Sequence, residues 1–153
     1  MERENTVVIV GAGTAGCVTA ITIMKIAKEE NKEIKVILVD SKSKEMIGHK
    51  VCGDALAEHH IKYIEERLNI EVPESIFECQ VEGVAIHSPD QKSVFRIVEE
   101  NAKGYILRRH EFGQFLLEEA LKLGVVLLDE TLVLGPIIEI NGASDYNVVG
   151  VRI

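Results

Sequence analysis

The sequence predicts an α/β protein organised around a parallel sheet. Three observations predict it. Thr6–Val10 is a short, unbroken run rich in β-branched residues, a glycine-rich turn and a long helical segment follow, and Ile34–Val39 is a second unbroken apolar run. Together they make a strand–helix–strand unit of about 30 residues. Strands that read as continuous apolar runs are expected to be buried on both faces of a parallel sheet.

The elements follow in order. Thr14–Glu30 is expected to be a helix, with Thr19, Thr22, Lys25 and Glu29 on its polar face and Ala15, Val18, Ile21 and Met24 on the other. Asn31–Glu33 ends it. Ser41–Gly53 is a loop containing "GHKVCGD". Asp54 is expected to cap a helix running to about Leu68, with Ala57, Ile61, Ile64 and Leu68 on one face. Pro73 breaks the chain beyond that helix. Val81–His87 alternates as a strand, Ser88–Asp90 turns the chain, and Ser93–Val98 is its partner. Tyr105–Leu107 is a short extended piece. Glu111–Leu123 reads as a helix with Phe112, Phe115, Leu116, Ala120 and Leu123 inward and Glu111, Gln114, Glu118 and Lys122 outward. Gly124 stops it. Val125–Leu128 is another buried strand, and Thr131–Ile140 pairs with Val148–Ile153 through Asn141–Gly142.

Composition narrows the function. The 153 residues, 46% hydrophobic and 27% charged, suffice for one domain with a real core. A formal net charge of -8 argues against nucleic acid as a partner. Cys17, Cys52 and Cys79 are too few and too scattered for a disulfide framework, so a reducing, cytoplasmic setting is expected. Met1–Asn5 is polar, with no signal peptide and no apolar run of about 18 residues. His59 and His60 are adjacent on a helix and point apart, so no metal site is expected. No nucleophile elbow or Ser/His/Asp order supports hydrolysis.

The chemistry sits in Gly11-Ala12-Gly13-Thr14-Ala15-Gly16. Gly11 permits the turn out of the strand, Gly13 lets backbone approach a pyrophosphate, and Gly16 lets the helix pack on the sheet. The helix start offers unpaired N–H groups and the positive end of its dipole to an anion. No lysine follows as in a P-loop. Asp40, 24 residues past Gly16 at the end of the second strand, can accept hydrogen bonds from both hydroxyls of an adenosine ribose and repels a 2′-phosphate. Ser41 lies beside it. This constellation makes the fold Rossmann-like and dinucleotide-binding. By itself it does not separate FAD from NAD.

Two later stretches do. "YILRRHEFGQFLLEEALKLGVVL" (Tyr105–Leu127) and "GHKVCGDAL" (Gly48–Leu56), with the glycine fingerprint, resemble the geranylgeranyl reductase family of FAD-dependent oxidoreductases. That family shares the FAD/NAD(P)-binding fold of the p-hydroxybenzoate hydroxylase/glutathione reductase type. The resemblance covers nearly the whole chain. It implies FAD as cofactor and Arg109, in a Tyr-x-x-x-Arg-x-x-Phe pattern with Tyr105 and Phe112, as a residue that holds it. Arg108, where many members carry an acid, is the reserve, and Gly113 replaces an acid common after the Phe. Cys52 and Gly53 are implied to lie near the isoalloxazine ring. Gly53 permits close approach, and Cys52, the candidate catalytic residue, packs on the flavin or influences protonation of the substrate alkene. Lys50 and Asp54 flank them and contact the cofactor or only solvent.

The implied reaction is hydride delivery from reduced FAD to an isolated alkene of a geranylgeranyl membrane lipid, with a proton added to the other carbon. The electron donor is unnamed, and peripheral contact with a membrane needs no spanning helix. A FAD-dependent monooxygenase of the same fold and a non-catalytic dinucleotide-binding fragment are the alternatives. Relatives are longer and carry a later Gly-Asp segment that touches the flavin. Residues 1–153 are therefore expected to form an incomplete FAD-binding domain, its N-terminal part, with a segment inserted at about 70–104. Alone, the chain is expected to hold FAD weakly or not at all, to lack turnover, and to self-associate or need a C-terminal partner.

Overall fold

In the computed structural model of the protein, residues 5–98, 103–140 and 146–153 are described. The expected Asn141–Gly142 connection lies outside them. In chain order the elements are β1 (Thr6–Val10), α1 (Thr14–Glu29), β2 (Lys35–Val39), β3 (Ala55–Ala57), α2 (Glu58–Leu68), β4 (Phe77–Val81), β5 (Gly83–His87), β6 (Val94–Val98), β7 (Gly104–Leu107), α3 (Arg109–Lys122), β8 (Val126–Leu128), β9 (Gly135–Ile140) and β10 (Tyr146–Arg152). By its internal contacts the chain divides into two units, Met1–His49 with Gly113–Ile153, and Lys50–Phe112.

The first unit carries the predicted parallel sheet, in the order β1-β2-β8. β1 and β2 pair from Thr6↔Lys35 to Val10↔Val39, and β2 pairs with β8 from Ile37↔Val126 to Val39↔Leu128. The middle strand comes nearest the expectation of full burial, with Val36, Leu38 and Val39 buried, Ile37 half-buried and Lys35 exposed, whereas Val8, Val10, Val126 and Leu128 are exposed. The reason is strand order. β1 and β8 flank the described sheet, and Ile9 of β1 lies against Gly16 of α1. β9 and β10 form an antiparallel hairpin with a bulge between Val148 and Gly150.

The buried stripe of α1 is Cys17, Ala20, Ile21 and Ala27; Ala15, expected on that face, is exposed. The helix is set by Gly16, which rests on the Gly11 carbonyl, and the stripe follows that contact. On α3, Phe112, Leu116 and Ala120 are buried as expected, and Leu117 joins them. Gln114, expected to face outward, is half-buried instead. Its Nε2 donates to the carbonyls of Lys44 and Ile47 at 2.8 and 2.7 Å. These bonds and the buried Ile47 fix the loop after β2. Beside them, Gly113 meets Gly48 so closely that a Cβ would lie 2.4 Å from its Cα. Gly113→Ala is therefore expected to lower stability by about 1–3 kcal/mol through overpacking. An unchanged urea midpoint would show that the loop yields freely.

The second unit contains an antiparallel sheet in the order β3-β7-β4, the β5–β6 hairpin and α2. The strand expected over Val81–His87 is two strands. β4 ends at Val81 and β5 begins at Gly83, where a Cβ would lie 2.5 Å from the Ile97 carbonyl. Asp54 does not cap α2. Ala55–Ala57 form β3 and pair with Gly104–Ile106, so the helix starts only at Glu58, with no side-chain cap. The competing interaction is long-range ladder pairing, which the local sequence does not show. Asn69, left-handed at φ +44°, ends α2. Among the described residues no helix is long and apolar enough to cross a membrane.

Candidate functional site

β1 delivers the chain to Gly11, whose φ of +97° is a conformation that side chains rarely adopt. The Gly11 N–H donates to the Val39 carbonyl at 2.7 Å, tying the turn to β2. Gly13 then starts α1 as an N-cap without a side chain, so the first N–H groups of the helix have no side-chain cap. A Cβ on Gly13 would meet nothing within 4 Å, whereas one on Gly16 would lie 1.9 Å from the Gly11 carbonyl oxygen. One glycine leaves space open and the other closes a contact.

Between them Ala12 is fully buried. Its N–H donates to Asp40 Oδ2 at 2.7 Å, and its carbonyl accepts from the Cys17 thiol at 3.1 Å. Asp40 Oδ1 accepts from the Lys42 N–H at 2.9 Å. The Asp40 backbone is held as well: its N–H donates to the Leu128 carbonyl at 3.0 Å and its carbonyl accepts from the Thr131 N–H at 2.8 Å. The acid thus joins the glycine loop, β2 and the chain after β8. Each carboxylate oxygen keeps a further lone pair for a ligand hydroxyl.

A small cleft of about 130 Å³ opens there, lined by Gly11, Asp40, Ser41, Thr131, Leu132 and Val133, among others. It brings together three residues that the sequence singled out. Thr131–Val133 were missed. Their signal is positional: they follow the third parallel strand at the carboxyl end of the sheet, where ligands of such folds bind.

Burial, and secondarily the negative charge of Asp40, push the Cys17 thiol from its ordinary value near 9 up to about 12. The neutral thiol is therefore favoured by folding. Its contribution to stability is full below pH 9 and is lost as pH rises toward 12, where the native thiol must ionise. Cys17→Ala is expected to flatten the fall of unfolding free energy across that window. A slope equal to that of the parent would refute the assignment.

In the second unit, Lys50, Cys52 and Gly53 are exposed. Antiparallel pairing of Ala55 with Ile106, and the Leu107 N–H donating to the Asp54 carbonyl at 2.9 Å, bring the "GHKVCGDAL" and "YILRRHEF" stretches side by side. The two arginines separate clearly. Arg108 Nε lies 2.7 Å from Glu78 Oε2, and its Nη1 lies 3.6 Å from Glu111. Those carboxylates raise its pKa, the Glu78 hydrogen bond most. Arg109, half-buried at the start of α3, has no ion pair among the described residues.

A parallel sheet, a glycine turn against a helix N-terminus and an acid at the second strand end define an α/β, Rossmann-like fold, and similarity to known proteins places it with the FAD-dependent oxidoreductases. The model of the tryptophan halogenase family matches residues 6–87, and the chain belongs to that family. Its curated relatives lie with the reductases. It is 31% identical over 150 residues to digeranylgeranylglycerophospholipid reductase of Sulfolobus acidocaldarius, covering 95% of this chain and 30% of the relative. A geranylgeranyl bacteriochlorophyll reductase-like protein from Thermoplasma acidophilum superposes with a TM-score of 0.71 at 26% identity, over 98% of this chain and 35% of that one. A halogenase solved with phloroglucinol and FAD has the same fold, with a TM-score of 0.64 at 17% identity over 97% of this chain and 31% of its own. The chain thus spans about a third of the length of these relatives. The resemblance to the geranylgeranyl reductases rests on the curated relatives and on the Thermoplasma structure.

Proposed function

We propose that the chain binds FAD and serves the reduction of isoprenoid C=C bonds in membrane lipids. The observation that carries this is the glycine loop, fixed to Asp40 through Ala12 and open at Gly13. The open cradle, the uncapped helix start and the carboxylate suit an adenosine diphosphate moiety. In this reading the backbone from Gly11 through Ala12, Gly13, Thr14 and Ala15 to Gly16 holds the diphosphate. Asp40 and Ser41 hold the ribose, and Thr131–Val133 border the adenine. Lys50 and Arg109 supply cations to phosphate or sugar. Cys52 and Gly53 lie along the ring, with the exposed Cys52 thiol placed to influence a proton at the alkene.

When bound, reduced FAD supplies the hydride that one alkene carbon receives. The protein's part is to bind, orient and shield. The lipid substrate is inferred from the names of the relatives. Access to such a lipid favours peripheral contact with a membrane. Turnover is assigned to the chain together with the region that the relatives carry beyond the matched part, supplied by a C-terminal partner. Within that assembly we read residues 1–153 as FAD-binding, with about 70–104 as an insertion.

Reconstitution with FAD and a visible spectrum test the cofactor. At saturating FAD a bound-flavin band is expected, lost on dilution because the chain alone holds FAD weakly, and its absence at saturation would overturn the reading. The family match favours one second reading, halogenation. With the chain and its complementing region, alkene reduction by reduced flavin without oxygen supports the reductase. Oxygen consumption that depends on halide supports the alternative.

A further inference from the structure

Asp54 carries two penalties that the folded chain does not recover. Its φ is +57°, a left-handed conformation that glycine and asparagine adopt more readily. The other left-handed non-glycine residues have an evident local use: Asn31 and Asn69 follow helices, while Gln91 and Glu130 lie in the connections after β5 and β8. Asp54 instead leads into a paired strand. Its Oδ1 is also shut off from solvent and has no hydrogen-bond partner among the described residues. An unpaired buried carboxylate oxygen is costly, and asparagine or glycine would avoid the charge. Strain and an orphaned acceptor on one residue point to a liganded state in which the carboxylate is used.

We propose that Asp54 is a cofactor-binding carboxylate whose Oδ1 accepts a hydrogen bond from the imide N–H of a flavin ring. This rests on the FAD reading above. The residues just before Asp54 leave room for a ring: Val51 is fully exposed, and a Cβ on Gly53 would meet nothing within 4 Å. The β3–β7 pairing further sets Asp54 opposite Leu107, two residues before Arg109, so an acceptor and a guanidinium without an ion pair among the described residues lie on neighbouring stretches of one unit.

The test measures thermal midpoints without ligand, and affinities for FAD and for FAD methylated at the imide nitrogen. Asp54→Gly is expected to raise the midpoint by roughly 2–4 °C as the strain and the orphan disappear. Asp54→Gly is expected to weaken FAD binding about tenfold or more, the scale of a lost hydrogen bond to a charged group, whereas Asp54→Asn keeps a carbonyl acceptor and should retain part of the affinity. The wild-type chain should prefer FAD over the methylated form, and the Gly variant should not. FAD affinities within about twofold of wild type, or equal discrimination by both proteins, would overturn the proposal. A wild-type chain that binds no flavin would overturn the FAD reading itself, which is a different result.

Discussion

Gly13→Val is expected to abolish FAD binding while leaving the protein folded. A Cβ at this position meets no protein atom within 4 Å, so the branched side chain fits the free chain. It would occupy the space where a diphosphate approaches the start of α1. The backbone at Gly13, φ -71° and ψ -176°, is open to any residue. The stability cost should stay near about 1 kcal/mol, because valine is a poorer N-cap than glycine. Gly16→Ala is the opposite case. Its Cβ would lie 1.9 Å from the Gly11 carbonyl oxygen, so helix and turn must separate, at a cost of about 3 kcal/mol or more. Paired FAD titrations and urea denaturation separate the two. Equal FAD affinity in Gly13→Val would remove the phosphate seat from the site, and equal destabilisation by both variants would make the whole loop structural.

Asp40→Ala is expected to have the next largest effect, on two readouts at once. Loss of the hydrogen bonds to ribose should weaken FAD by about 1–3 kcal/mol. The same substitution strips the acceptor from the buried Ala12 N–H, 2.7 Å from Oδ2, leaving an unpaired donor beneath the glycine loop. That costs stability on a similar scale of about 1–3 kcal/mol. Asp40→Asn keeps one carbonyl oxygen and should retain part of each. FMN has no adenosine, so its binding should fall much less than that of FAD. Calorimetric titration of both cofactors decides the matter: equal losses would make Asp40 a fold element only.

Much of the site was legible because its determinants are local. The apolar run Thr6–Val10, the glycine spacing from Gly11 to Gly16 and the acid at Asp40 follow from turn chemistry and strand length within one strand–helix–strand unit. The helix after Arg108 was legible from periodicity, and its α3 core residues Phe112, Leu116 and Ala120 were named correctly. The sequence by itself thus determined which segments form the strand–helix–strand unit and that Asp40 stands at the end of its second strand.

Tertiary structure decided the features that depend on distant pairing. Strand order left β1 and β8 exposed where periodicity implied burial. Pairing with β7 turned Ala55–Ala57 into a strand and placed Asp54 before it rather than at a helix cap. Gln114 reads as a surface residue by helical spacing, yet it holds two carbonyls of the loop after β2. The grip of Asp40 on Ala12 and the closeness of Thr131–Val133 arise only when three strands line up in parallel. The physical reason is common to all of these. Periodicity and turn preferences act over a few residues, whereas strand order, ladder register and close backbone approach are set by segments tens of residues apart.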